Sequence, residues 1–171
     1  MRIGVLSDTH GRLDSRVLEL FQGVDVILHA GDIGGEEILT ELSSVAPVTA
    51  VLGNTDGFPL ASTLKAWEWL ELQGERVALT HQIGHPDRPT TEVSSLIAQR
   101  RPTLVVFGHT HAPFHRVVGG VRFLNPGAAG PRRFSLPRSI ALLELGQMGG
   151  AQVRFLPLDE ASEALLKGGG W

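Results

Sequence analysis

Four short apolar runs rich in β-branched residues, Ile3 to Ser7, Val24 to Ala30, Val48 to Leu52 and Leu104 to Phe107, stop before a helix could complete itself. Runs of that length, closed by turn formers, read as strands, and continuous apolarity marks them as buried on both faces. Amphipathic stretches lie between them. Leu13 to Phe21 places apolar residues at 13, 17, 18, 20 and 21, and Glu36 to Ser43 opens with two glutamates that suit the positive end of a helix. Strand and helix alternating in this way predict stacked β-α units and an α/β fold.

The second half shifts towards β. Ala66 to Leu72 alternates, and Gln73-Gly74-Glu75 can turn it back into Arg76 to Thr80, a hairpin signal. Thr91 to Arg100 is helical in spacing and is stopped by Pro102. Strand patterns follow at Phe114 to Val118, Val121 to Leu124, Ser139 to Leu145 and Gln152 to Leu156, with Gly119-Gly120 as a second hairpin turn. At 171 residues and 42% hydrophobic, the chain supports one domain with a real core, and no repeat or linker divides it. Residues 166–171, ending Gly168-Gly169-Gly170-Trp171, read as a flexible tail.

Charge and cysteine content narrow the function. A net charge of −3 offers no polycation, so nucleic acid and anionic membrane are disfavoured as partners. No cysteine is present, so a metal would bind through imidazole, carboxylate or amide, which excludes zinc-finger and iron–sulfur classes. Asp8 interrupts the first apolar run before a secretory core could form, and no run is long enough to span a bilayer. The expectation is a cytoplasmic protein.

The same residue types recur where the apolar runs end. Asp8 and His10 follow the first, Asp32 the second and Asn54 the third; His81 ends a later run and His109-Thr110-His111 the last. Glycines come close behind at Gly11, Gly34, Gly35, Gly57 and Gly84. In open α/β sheets the crevice beyond the strand ends is where loops converge and ligands bind. If the chain stays extended there, its period of two turns Asp8 and His10 to one side, and His109 and His111 likewise. A single such residue is a turn or cap; seven of them describe a metal site.

In that order, Asp8-Thr9-His10, Gly31-Asp32, Gly53-Asn54, His81 and Gly108-His109-Thr110-His111 resemble the calcineurin-like metallophosphoesterase superfamily. The short length and Gly53-Asn54-Thr55-Asp56 are similar to its small bacterial and archaeal phosphodiesterase branch, to which the retromer subunit of the same fold is related. The resemblance implies a sandwich of two mixed β-sheets flanked by helices. It also implies two divalent metal ions, the first held by Asp8, His10, Asp32 and His111, the second by Asp32, Asn54, His81 and His109. Two such ions about 3.5–4 Å apart polarise a phosphoryl oxygen and lower the pKa of a shared water, so hydroxide can attack phosphorus in line. Mixed nitrogen and oxygen donors favour Mn²⁺, Ni²⁺, Co²⁺, Fe or Zn²⁺ over Mg²⁺ or Ca²⁺, and the resemblance puts Mn²⁺ first. The implied activity is hydrolysis of a small phosphate ester, diester or monoester.

Two departures from the family pattern bear on the mechanism. Thr55 stands where many members have a histidine that protonates the leaving group, and threonine cannot do so near neutral pH. Activated leaving groups are therefore expected to be preferred, unless His85 or Asp56 supplies the proton. The usual His-Gly-His is here His81-Gln82-Ile83-Gly84-His85, which leaves His85 as a candidate for proton delivery or substrate contact. Leu124-Asn125-Pro126-Gly127 resembles the family's closing loop, and Arg132 and Arg133 beyond it could clamp a phosphate or form a solvated patch. His29, inside Val26 to Ala30, reads as a hydrogen-bonded core residue, His115 as a surface one, and Trp67 with Trp69 as packing. Exposed tryptophans, Trp171 included, leave a homo-oligomer open. The rival function is a protein-interaction scaffold with little catalysis, like the retromer relative. A nuclease fits the acidic balance poorly.

Overall fold

The computed structural model of the chain describes residues 1–146, 150–169 and 171. Its strands are β1 Arg2–Leu6, β2 Val26–His29, β3 Val48–Ala50, β4 Trp67–Leu72, β5 Glu75–Thr80, β6 Gly84–His85, β7 Arg88–Pro89, β8 Leu104–Val106, β9 Pro113–Val118, β10 Val121–Pro126, β11 Ser139–Leu145 and β12 Ala151–Pro157. The helices are α1 Ser15–Leu20, α2 Glu36–Ser43, α3 Leu60–Thr63, α4 Thr91–Arg100 and α5 Glu160–Gly168.

Two five-stranded mixed sheets form the body, in the orders β12-β11-β1-β2-β3 and β4-β5-β8-β10-β9, and β6 pairs with β7 in a small separate ribbon. β1, β2 and β3 run parallel, as do β5, β8 and β10, while the outer pairs are antiparallel. Ile3, Val5, Leu28, Ala141 and Leu143 of the first sheet pack against Val77, Leu79, Leu104, Val106 and Leu124 of the second. The opposite face of the first sheet is covered through Val17, Phe21, Ile38 and Leu42 of α1, its C-cap and α2. On the opposite face of the second, Trp67 and Trp69 of β4 pack in one cluster with Ala78, Val105, Phe123 and Val93 of α4, so the tryptophans do serve packing. The layering is helix, sheet, sheet, helix, as the alternating pattern predicts.

Local chemistry explains the boundaries. Asp14 caps α1, its carboxylate accepting from the Arg16 amide at 3.2 Å, so this helix starts later than Leu13. Thr90 caps α4, and Arg101 ends it in the left-handed region at φ 50° just before Pro102. The hairpin of β4 and β5 turns on two residues, Gln73 and Gly74, with φ of 51° and 81°, the primed geometry that matches strand twist.

Three short elements, α3, β6 and β7, and one longer one, α5, are not anticipated by the sequence pattern. Asp159 accepts from the Ser162 amide at 2.7 Å and starts α5, which continues through residues 166–168 of the expected tail. Glu163 and Lys167 pair along it at 2.7 Å. Gly170 lies outside the described residues, and the Trp171 indole donates to the Leu165 carbonyl at 3.4 Å.

Candidate metal centre

Parallel pairing aligns the strand ends. Leu6, His29 and Ala50 are in register across β1, β2 and β3, and Leu79 with Val106 across β5 and β8, so the loops that follow leave from one edge of the sandwich. Those loops stay tied after the strands stop: the Asp8 amide donates to Gly31 O at 3.0 Å, His10 to Asp32 O at 2.9 Å and Gly108 to His81 O at 3.1 Å. Gly53 and Gly108 allow the approach, because a Cβ on either would lie 2.0 Å from Asp32 N or Ser7 Oγ.

The backbone is not extended there. Asp8, His10, Asp32, His109 and His111 have φ between 47° and 69°, in the left-handed region. The alternation expected from an extended chain is thus replaced by a sharper device, left-handed residues alternating with others. Non-glycine residues in that region each cost on the order of 1–3 kcal/mol and cluster where function requires it.

Three donors meet on one side. His111 Nε2 lies 3.2 Å from Asp8 Oδ1 and 3.4 Å from His10 Nε2, and the two rings stack at 5.3 Å. Asp32 lies in the middle, its Oδ2 3.8 Å from His10 Nε2 and 3.4 Å from His81 Nε2. On the far side Asn54 Oδ1 is 3.1 Å from His81 Nε2, and the His109 ring meets the His81 ring edge-on at 5.3 Å. His109 also donates its backbone amide to Asp8 Oδ2 at 3.1 Å. His109 therefore sits by Asn54 and His81, and His111 by Asp8 and His10.

This set suits cations. Asp8 is fully buried, and its Oδ1 has no hydrogen bond although two imidazole nitrogens face it. Nitrogens and carboxylates crowded this closely need a positive charge among them. His81 donates from Nδ1 to Ala30 O at 2.7 Å, which turns Nε2 inward, the arrangement by which outer hydrogen bonds orient metal-bound histidines. Burial works against charge on His81, but hydrogen bonds to Asp32 and Ala30 and the field of Asp8 outweigh it and raise its pKa. Burial also opposes ionisation of Asp32, yet His81 and the Thr55 amide, donating at 2.8 Å, hold it well below the carboxylate range. His10 and His109 are lowered, chiefly by burial.

The remaining candidates divide. Thr55 Oγ1 is 3.5 Å from His10 Nδ1, so the departure from histidine falls inside the site. Asp56 accepts from the amides of Gly34 at 2.9 Å and Gly53 at 2.8 Å, so its carboxylate ties together the loops after β2 and β3. His85 is exposed, takes the Asp87 amide at 3.2 Å and lies against Phe114. Arg132 is committed to Asp159 at 2.5 Å and to Ser162 at 2.9 Å, whereas the charge of Arg133 reaches His10. Neither His85 nor Arg132 joins the cluster. His29 is fully buried, its Nε2 2.9 Å from Thr9 Oγ1, in keeping with a core role; His115 is half-buried and bonds Arg122 at 2.9 Å.

One contributor, Gln82, escapes the sequence reading, and a second, Asn125, enters it only as part of a family-like loop. Gln82 Nε2 lies 2.9 Å from Asn54 Oδ1 and 3.2 Å from His109 Nδ1, and its only signal was adjacency to His81. Asn125 donates to Gly108 O at 2.7 Å and Thr110 Oγ1 at 3.1 Å and accepts from Gly127, fixing the His109 loop from below. Only the likeness of its loop to the family's pointed there.

Two packed mixed sheets with such a cluster across their strand ends define the metallophosphoesterase fold. The chain belongs to the calcineurin-like phosphoesterase superfamily, whose domain model matches residues 1–148. A probable metallophosphoesterase of Methanothermobacter thermautotrophicus is 34% identical over 158 residues, covering 90% of this chain and 91% of that one. Phosphodiesterase YfcE of Escherichia coli is 31% identical over 170 residues, covering 84% and 88%. Among solved structures, a novel archaeal phosphodiesterase superposes with a TM-score of 0.72 at 24% identity, covering 91% of this chain and all of that one. Vps29 of Entamoeba histolytica with zinc superposes at 0.71 with 23% identity, covering 93% and 100%, a likeness of fold alone.

Proposed function

We propose that the protein is a two-metal phosphoesterase that hydrolyses a small phosphate ester with a good leaving group, diesters before monoesters on the strength of its likeness to a phosphodiesterase. The carrying observation is the buried Asp8 Oδ1, unpartnered among His10, His111 and Asp32, with His81 and Asn54 on the far side of Asp32. Asp8, His10, Asp32 and His111 would hold one ion and Asp32, Asn54, His81 and His109 the other, with Mn²⁺ the first choice. Bound ions of this kind polarise the phosphoryl group and make water a nucleophile near neutral pH.

The chain's own residues set the rest. Ala30 O and the Thr55 amide fix the orientation of His81 and Asp32 before substrate arrives. The charge of Arg133 is felt weakly at His10, a positive contribution that favours an anionic phosphate. Thr55 supplies no proton to a departing alkoxide, and Asp56 is occupied by two amides, so the leaving group has to be stable as an anion.

Metal analysis and hydrolysis of bis-p-nitrophenyl phosphate against p-nitrophenyl phosphate with Mn²⁺ test this reading. Faster turnover of the diester, reduced about 100-fold in His109→Ala, is expected. Two bound ions with neither ester hydrolysed would favour the scaffold reading instead.

A further inference from the structure

Beside His109 lies a cavity of about 370 Å³ lined by Trp67, Gln82, Thr90, Glu92, Val93 and His109. It adjoins the metal centre, because Gln82 and His109 belong to both. Its size falls at the lower end for small-molecule pockets, enough for one ring system and too little for a long chain. Trp67 stacks on Trp69 with centroids 5.4 Å apart and planes within 9°, and Arg100 sits over Trp69 at 5.5 Å. The indole is thus held before any ligand arrives, so stacking on it costs little ordering.

The polar groups of the lining are selective. Glu92 brings a carboxylate, Thr90 and Gln82 bring neutral groups, and no lysine or arginine is among the lining residues. A second phosphate or a carboxylate would therefore meet repulsion without a counter-charge, while N–H or O–H donors would find acceptors. Gly84, also in the wall, turns the chain there with φ 79°, a left-handed conformation that glycine adopts without strain.

We infer that this cavity is the subsite for one substituent of the phosphodiester, a planar, uncharged heteroaromatic group bearing hydrogen-bond donors, of which a nucleobase is the type. It stacks on Trp67 and donates to Glu92 while the phosphate lies at the metal centre. This rests on the phosphoesterase reading above, and it adds the substrate class.

The test pairs two diesters with the same leaving group, p-nitrophenyl adenosine 5′-phosphate and methyl p-nitrophenyl phosphate. The wild type should favour the adenosine ester by about 10-fold in kcat/KM, the lower range of base–aromatic stacking. Trp67→Leu should abolish the preference and Glu92→Gln reduce it about threefold. Glu92→Arg, at an exposed helix position, keeps the test open should Trp67→Leu fail to fold; it should shift preference towards a carboxyphenyl substituent. An equal rate on both esters in the wild type, or a preference untouched in all three variants, overturns the inference. Quenching of tryptophan fluorescence by adenosine in metal-free protein separates the two readings. Trp67-dependent quenching with neither ester hydrolysed keeps the pocket and rejects the phosphoesterase. Hydrolysis without preference or quenching rejects the pocket alone.

Discussion

The two halves of the proposed metal centre are built to different tolerances. Asp8, His10 and His111 crowd together through left-handed backbone, with Asp8 and His111 buried and Thr9 tying their loop to His29 and Ile33. Across Asp32, His81 is equally buried, but Asn54 and His109 are exposed, and an exposed Gln82 amide is their shared partner. One half is fixed by the core before any ion arrives. The other is completed at the surface, where it meets the cavity beside His109, and on the two-ion proposal should hold its ion less tightly.

The largest effect should come from the residue the halves share. Asp32→Asn keeps the shape and removes the charge between His10 and His81, and we expect hydrolysis to fall at least about 1000-fold, about 4 kcal/mol, with both ions lost. One ion retained at full occupancy would show that Asp32 belongs to a single half. Next comes the buttress of the tight half. Thr9 Oγ1 donates to Ile33 O at 2.9 Å, so it accepts from His29 Nε2–H, and the buried Nδ1 has no partner. Burial pushes His29 from 6.5 down to about 4, so the folded state keeps it neutral while the unfolded state takes a proton. Stability from this group is full above pH 6.5 and falls as pH drops to about 4, by about 3 kcal/mol. Denaturant midpoints of metal-free wild type and His29→Asn between pH 7.5 and 4.5 should converge by that amount, and parallel curves would refute it.

Much of this was readable from residue order, for physical reasons. β-branched runs, Pro102 and the Gly119-Gly120 turn act locally, so α2, α4 and β11 fall where the pattern puts them. Strand ends then gather, because parallel pairing leaves them no other place. What stayed hidden is set by tertiary contact. Whether Arg132 faces a phosphate depends on Asp159 and Ser162 of α5, and α5 itself was masked by the glycines read as a tail. The convergence of Asp8 with His10 was foreseen by way of an extended strand, yet the structure achieves it through positive φ, which side-chain type alone does not announce.

The looser half yields smaller effects. His109→Ala should leave about one ion per chain and cost about 100-fold in hydrolysis, since the Asp8, His10 and His111 donors remain intact. Loss of both ions would mean that the halves do not load separately. Gln82→Ala removes the bridge between Asn54 and His109, and about a 10-fold weaker second ion, read by titration calorimetry without substrate, is expected.

The smallest effect separates two neighbouring arginines. Arg132 spends its donors on Asp159, Ser162 and the Leu136 carbonyl, so Arg132→Ala should loosen α5 and leave KM for the diester within about twofold. Arg133 acts on His10 through its charge at an exposed position, so Arg133→Ala should raise KM about threefold, less as salt is added, because screening already weakens it. Initial rates at 50 and 500 mM salt decide between them. A larger, salt-insensitive rise in KM for Arg132→Ala would place the phosphate contact on the tight half's other border, and the open side would then begin at Arg132.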